Sequence, residues 1–168
     1  MAEKESKKSA TNSIAVGGIM TRSVETFKIN ASLYKAIEKM GRKGISCVLI
    51  TDDGRPVGVL TERDVIRKVI LKNLDPHSSS VNDVMSTPVL SIGPDTDIIN
   101  AGNIMRKNKI RRLAIVDNEK LIGLITETDV LTATTRYIKH LNWRLVEGEI
   151  TLKEYERIMK DVRMLVEI

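Results

Sequence analysis

The chain has 168 residues, a length that suits one compact domain or two very small ones. An apolar fraction of 42% supports a real core, whereas 3% aromatic residues exclude broad stacking platforms for single-stranded nucleic acid. A net charge of +5 and a pI near 9.3 favour an anionic partner without naming one, because Lys and Arg alternate with Asp and Glu along most of the chain.

Residues 1–13 (MAEKESKKSATNS) are polar and lack the apolar segment of a secretory signal; they are predicted to be a disordered tail. No later run is long enough for a membrane span, so a soluble, cytoplasmic protein without membrane contact is expected. Cys47 is the single cysteine, which rules out an internal disulfide and a cysteine-based zinc site; no metal site is predicted.

The first ordered segment contains Met20 in VGGIMTRSV. Ser32 then stands as a good N-cap, and Leu33, Ala36, Ile37 and Met40 follow at the spacing of one helix face. Gly44 suits the end of that helix. Cys47-Val48-Leu49-Ile50 reads as a buried strand, Asp52-Asp53-Gly54 as a tight turn and Val57-Gly58-Val59-Leu60 as a second strand. A second helix begins near Glu62. The unit is β-α-β-β-α over residues 14–72, and residues 73–80 form a polar linker with turn residues.

Residues 79–137 repeat this order. A constant offset of 65 positions, as between Met20 and Met85, pairs Val16 with Val81, Val24 with Val89 and Ala36 with Ala101. It goes on through Met40/Met105, Ile45/Ile110, Gly58/Gly123, Thr61/Thr126 and Asp64/Asp129. Asp97 is the second N-cap, Leu113–Val116 and Ile122–Ile125 are the strands, and Asp117-Asn118-Glu119 is the turn. Lys109 stands where the first copy has Gly44, so a different turn is predicted there. A unit of about 60 residues is marginal alone. Two units are therefore expected face to face as a pseudo-twofold α/β (α+β) sandwich with equivalent clefts.

Residues 138–168 extend beyond the pair. Leu141, Leu145 and Val146 predict a helix running on to Gly148, and Thr151-Leu152-Lys153-Glu154 is a capping-box signature for another. Leu152, Tyr155, Met159, Val162 and Val166 form a short apolar seam. It suits packing on the chain's own repeats or a dimer contact equally. Trp143 is expected to anchor the segment.

Gly-x-x-Thr-x-x-Asp occurs twice, over Gly58–Asp64 and Gly123–Asp129. Thr followed three residues on by Asp at a helix start resembles a capping box. The same carboxylate can accept two hydroxyl donors while the helix N-terminus faces a phosphate. The residues alone leave both roles open.

IMTRSVETF, KGISCVLITDDGRPVGVLTERDV and KIRRLAIVDNEKLIGLITETDV resemble the two halves of a CBS (cystathionine-β-synthase) domain pair, or Bateman module. The resemblance covers residues 14–137. It implies a stand-alone, non-catalytic sensor of adenosine nucleotides (AMP, ADP or ATP) that needs no other cofactor. It also implies that each cleft takes its Thr-x-x-Asp from one repeat and its adenine pocket from the other. One site then combines Val59, Thr61, Arg63 and Asp64 with Ser86, Val89, Ile110 and Arg112. The other combines Leu124, Thr126, Thr128 and Asp129 with Thr21, Val24, Ile45, Cys47 and Arg111. The Arg111-Arg112 pair suits phosphates through the guanidinium fork, or a surface ion pair. Since the first repeat has Ser46 and Cys47 there, the two sites should differ. The resemblance also implies a disc-shaped homodimer and a regulated partner protein. The basic pI raises nucleic-acid binding as a second reading, but no zinc finger, recognition helix or RNP-like pattern supports it. His77 and His140 lie outside the repeated motifs, and nothing assembles a nucleophile with a base, so no catalytic residue is assigned.

Overall fold

The computed structural model describes residues 14–166, with side chains to residue 163; the predicted tail and the side chain of Val166 lie outside this range. The first repeat contains β1 (Thr26–Lys28), α1 (Leu33–Lys43), β2 (Cys47–Asp52), β3 (Arg55–Thr61) and α2 (Glu62–Asp64), the last passing into a π-helical run, Val65–Ile70. The second contains β4 (Ser91–Ile92), α3 (Ile98–Asn108), β5 (Arg112–Asp117), β6 (Lys120–Thr126) and α4 (Glu127–Val146). A final helix, α5 (Leu152–Val166), follows. The β-α-β-β-α order is thus present twice.

Local chemistry starts and stops these elements. Ser32 Oγ accepts from the Lys35 N–H at the head of α1, and Asp97 Oδ1 accepts from the Ile99 and Asn100 N–H groups, both at 2.9 Å, at the head of α3. The hairpins turn through left-handed pairs, Asp53 (φ 46°) with Gly54 (φ 82°) and Asn118 (φ 47°) with Glu119 (φ 64°). Such pairs match the strand twist of a two-residue hairpin. In each three-stranded sheet the central strand, β2 or β5, runs parallel to the first strand and antiparallel to the last.

The opening segment of each repeat belongs to the core of the other. Val16 and Met20 are buried among Ile98, Met105, Leu113 and Ile125, while Val81 and Val84 are buried among Leu33, Met40, Val48 and Leu60. Thr21 and Leu124 exchange two backbone hydrogen bonds of 2.9 Å, and Val59 and Ser86 exchange a pair of 3.0 and 2.8 Å. Neither repeat therefore completes its core by itself. The close approach also accounts for the repeated glycines. A Cβ at Gly58 would overlap the Met85 sulfur, and one at Gly123 would overlap that of Met20. Between the sheets, Leu49, Ala114 and Leu124 are buried against Val24, Cys47, Val59 and Val89. Each of these side chains lines one of the two clefts, and Leu124 lines both.

Several expectations need correction. Lys109 does not change its turn: it takes the same left-handed conformation (φ 54°) as Gly44 (φ 62°), because its N–H caps the Arg106 and Met105 carbonyls. Helix α2 and its π-helical run end within nine residues, before Asn73 (φ 51°), whereas α4 runs unbroken for 20 residues. The α5 seam packs on the chain's own α3 and α4, with Tyr155, Ile158 and Met159 around buried Tyr137, Leu141, Ile150 and Val162. Leu152 stays outside that seam, 60% exposed. Trp143 anchors nothing in the core; it is half exposed and stacks on His140 at 5.9 Å between ring centroids.

Candidate functional site: two clefts between the repeats

The chain positions cleft residues by the same device in each repeat. The strand-to-helix turn closes as a capping box, with Thr61 or Thr126 paired to Asp64 or Asp129. The first N–H of each helix then bonds the residue before the neighbouring strand. Glu62 donates to the Ser46 carbonyl at 3.2 Å, and Glu127 donates to the Arg111 carbonyl at 3.0 Å. Ser46 and Arg111 are thereby fixed beside the two helix starts.

The first cleft is a cavity of about 280 Å³. All eight residues assigned to it from the sequence (Val59, Thr61, Arg63, Asp64, Ser86, Val89, Ile110 and Arg112) line it. Lys109 and Arg111 join them, as do Glu62 and the apolar side chains of Leu49, Leu90, Ala114 and Leu124. The second cleft, of about 440 Å³, is lined by Thr21, Val24, Ile45, Cys47, Arg111, Leu124, Thr126 and Thr128. Asp129, assigned to the second site, does not line it. Glu25, Gly44 and Glu127 do, and sequence reasoning missed them. A signal for them existed. Gly44 and Lys109 are partners at the 65-residue offset, so mapping one lining onto the other repeat would have found Lys109.

Arg111, Arg112, Ser46 and Leu124 line both cavities, so the Arg pair stands between the clefts instead of dividing among them. Arg112 donates from Nη2 to Ser46 Oγ at 2.6 Å. Charge then separates the clefts. The first has Arg63, Lys109, Arg111 and Arg112 against Glu62 and Asp64, whereas the second sets the same two arginines against Glu25 and Glu127. A hydrogen bond from Lys43 holds the Glu25 carboxyl below its ordinary range against a smaller opposing effect of burial, so Glu25 is ionised at neutral pH. Burial pushes the Cys47 thiol up, which suits a wall residue and not a nucleophile.

The two aspartates differ as well. Asp64 is 7% exposed. Its Oδ2 accepts from the Thr61 N–H (3.0 Å) and Oγ1 (2.5 Å), and its Oδ1 from Ser86 Oγ (2.7 Å) and Lys68 Nζ (2.9 Å). Burial pushes the Asp64 carboxyl up, but the bonds from Lys68, Thr61 and Ser86 outweigh it and the net shift is downward. Asp129 Oδ2 accepts from the Thr126 N–H (2.9 Å) and Oγ1 (2.7 Å). Among the described residues no donor reaches its Oδ1.

Two β-α-β-β-α units that share cores and enclose paired clefts make up a tandem-repeat module. The CBS domain profile matches residues 16–71 and 81–136, and the chain belongs to the CBS-domain family. An uncharacterised protein of Methanopyrus kandleri is 36% identical over 121 residues, covering 71% of this chain and 62% of the relative. The chain thus spans well under the full length of that relative. Among solved structures, a protein with CBS domains from Burkholderia ambifaria is 30% identical (TM-score 0.66), covering 71% of this chain and 93% of its own. CBSX2 in complex with AMP is 28% identical (TM-score 0.63), covering 73% of this chain and 97% of its own. CBS-pair proteins are regulatory modules, some of which bind AMP. No helix among the described residues is long and apolar enough to cross a membrane.

Proposed function

We propose that the chain is a non-catalytic, cytoplasmic sensor of adenosine nucleotides, with AMP, ADP or ATP bound between its repeats. One observation carries this reading: the first cleft joins an apolar floor of Leu49, Val89, Ile110 and Ala114 to a rim of Arg63, Lys109, Arg111 and Arg112. A planar base fits the floor and phosphates fit the rim, where guanidinium groups pair with them bidentately. The AMP complex of CBSX2 supports the ligand class. Ligand contacts on both repeats would bias their relative orientation, and a partner protein would read that bias.

The outer faces of the second helices expose Ile66 (52%), Ile70 (61%), Leu71 (73%) and Leu131 (51%), with Ile66 and Leu131 at equivalent positions. Exposed apolar side chains on the second helix of both repeats support a homodimer built through them, although Ile70 and Leu71 have the polar offset partners Thr135 and Arg136.

Native mass spectrometry with AMP, ADP and ATP tests both parts. Expected are a dimer mass and nucleotide adducts that Arg111→Ala/Arg112→Ala reduces at least tenfold. Adducts of equal intensity in that variant would refute the phosphate assignment, and no adduct with any nucleotide would refute the function.

A further inference from the structure

The first repeat carries a charged surface that the 65-residue repeat does not require. A groove of about 530 Å³ between β1 and α1 is lined by Phe27, Lys35, Glu38, Lys39, Arg42 and Lys43. Four cations thus face one carboxylate beside an aromatic ring. Their offset partners are Ile92, Asn100, Asn103, Ile104, Lys107 and Asn108, which keep one cation of the four. The buried face of α1 is matched instead, Leu33 with Ile98, Ala36 with Ala101 and Met40 with Met105. Core packing therefore explains the inner face of α1 and not its basic outer face.

The groove borders an open sheet edge. β1 is the outer strand of its sheet and pairs with β2 alone. Leu49 donates to the Glu25 carbonyl at 3.1 Å and Ile29 donates to the Thr51 carbonyl at 3.2 Å, so alternate residues from Glu25 to Ile29 face β2. In such a ladder the intervening residues, Thr26 and Lys28, turn their backbone groups the other way. Among the described residues no strand or bridge meets that edge. The Lys28 carbonyl is taken by the Ala31 N–H at 2.9 Å, which leaves the Thr26 groups and the Lys28 N–H to a partner.

A strand added there would set alternate side chains on the Phe27 side, toward α1. Side chains on one face of a strand are about 6.6 Å apart, so three of them span about 13 Å. From Lys35 to Lys43 helix α1 advances about 12 Å. Three alternate carboxylates therefore match the row of cations. β1 is three residues long and ends in Lys28, a form of edge that discourages neutral and basic strands. One carboxylate of the chain already uses part of the row. Glu25 accepts from Lys43 and lies 3.6 Å from Lys39, and it also lines the second cleft.

We propose that this groove docks an acidic, extended segment of a partner protein, which adds as a strand to the open edge of β1 and sets alternate carboxylates against Lys35, Lys39, Arg42 and Lys43. Glu25 is the built-in competitor for Lys39 and Lys43. The inference goes beyond the nucleotide reading and does not depend on it.

The test is fluorescence anisotropy of the full chain with a fluorescein-labelled peptide of alternating Glu and Val. That peptide should bind, and a peptide of alternating Lys and Val should not. Replacing Val by Pro keeps the charge but prevents strand pairing, and should weaken binding at least fivefold. Lys39→Ala/Lys43→Ala should weaken the Glu-Val peptide at least fivefold, whereas Glu25→Gln should tighten it at least threefold. Lys107→Ala, at the offset partner of Arg42, should change it less than twofold. Absence of binding by the Glu-Val peptide would overturn the inference, as would equal binding of the Pro peptide or equal binding by the folded double variant. A single-stranded oligonucleotide of the same charge that binds more tightly than the peptide would overturn it in favour of nucleic acid. If the double variant does not fold, by circular dichroism, Glu25→Gln decides, and unchanged or weaker binding there refutes the site.

Discussion

Gly123→Ala adds one methyl group where the two repeats exchange segments. The new Cβ would overlap the Met20 sulfur, sit 3.0 Å from Met20 Cγ and lie 3.1 Å from the Thr21 carbonyl oxygen. Methionine can swing aside, but the Thr21 carbonyl is backbone and accepts the 2.9 Å hydrogen bond from Leu124. Overpacking of this kind costs about 1–3 kcal/mol. Weakening one bridge hydrogen bond adds roughly 0.5–1.5 kcal/mol. The stiffer unfolded chain returns about 0.4–1 kcal/mol. The net expectation is a loss of about 0.5–4 kcal/mol. Gly41→Ala is the internal control, because Gly41 lies in α1 and an added methyl group there would meet nothing within 4 Å. That substitution should stabilise the chain by about 0.5–1 kcal/mol through helix propensity. Urea unfolding followed by circular dichroism, read as a midpoint shift at constant m, measures both. Opposite signs are expected. A Gly123→Ala protein as stable as its parent would refute the close-packed exchange of segments. Because Thr21 and Leu124 both line the second cleft, the same variant should weaken ligand binding there first.

Lys109→Gly relieves a left-handed lysine (φ 54°) and should stabilise the fold by up to about 1 kcal/mol. It should also weaken AMP at the first cleft several-fold, so urea midpoint and calorimetric affinity move in opposite directions; a drop in both would contradict this account. Asp64 carries a folded pKa below its ordinary value, so its contribution is present above the unfolded pKa of about 3.9 and is lost as pH falls through the lower folded value. Asp64→Asn should therefore lower stability at pH 7, and the gap to the parent should shrink as acid is added below pH ~4. A gap that is constant from pH 7 to 2.5 would count against the carboxylate. Trp143, half exposed on α4, should emit as a solvated indole and be quenched readily by acrylamide. Blue-shifted, protected emission would place another surface over it.

The register of two repeats was legible because equivalent surroundings select equivalent residue types: paired methionines meet paired glycines, and paired Thr-x-x-Asp motifs start paired helices. Apolar spacing and caps located α1 and α3, and turn residues located the hairpins, since these signals act over a few residues. About half of the residues lining each cleft followed from the repeat and the family resemblance together. Other features depended on contacts between distant segments. The sequence could not show that α5 packs on α3 and α4, because an amphipathic seam does not specify the surface that covers it. Nor could it show that Arg111 and Arg112 stand between both clefts, or that Asp129 sits behind its wall. Lys68 makes the same point. Its four-residue spacing from Asp64 allows an ion pair, but only the tertiary fold brings the Val84 and Met85 carbonyls and Ser86 around its ammonium. Residue type and spacing determined the elements, while the exchange of segments between repeats determined which polar groups remain available to a ligand.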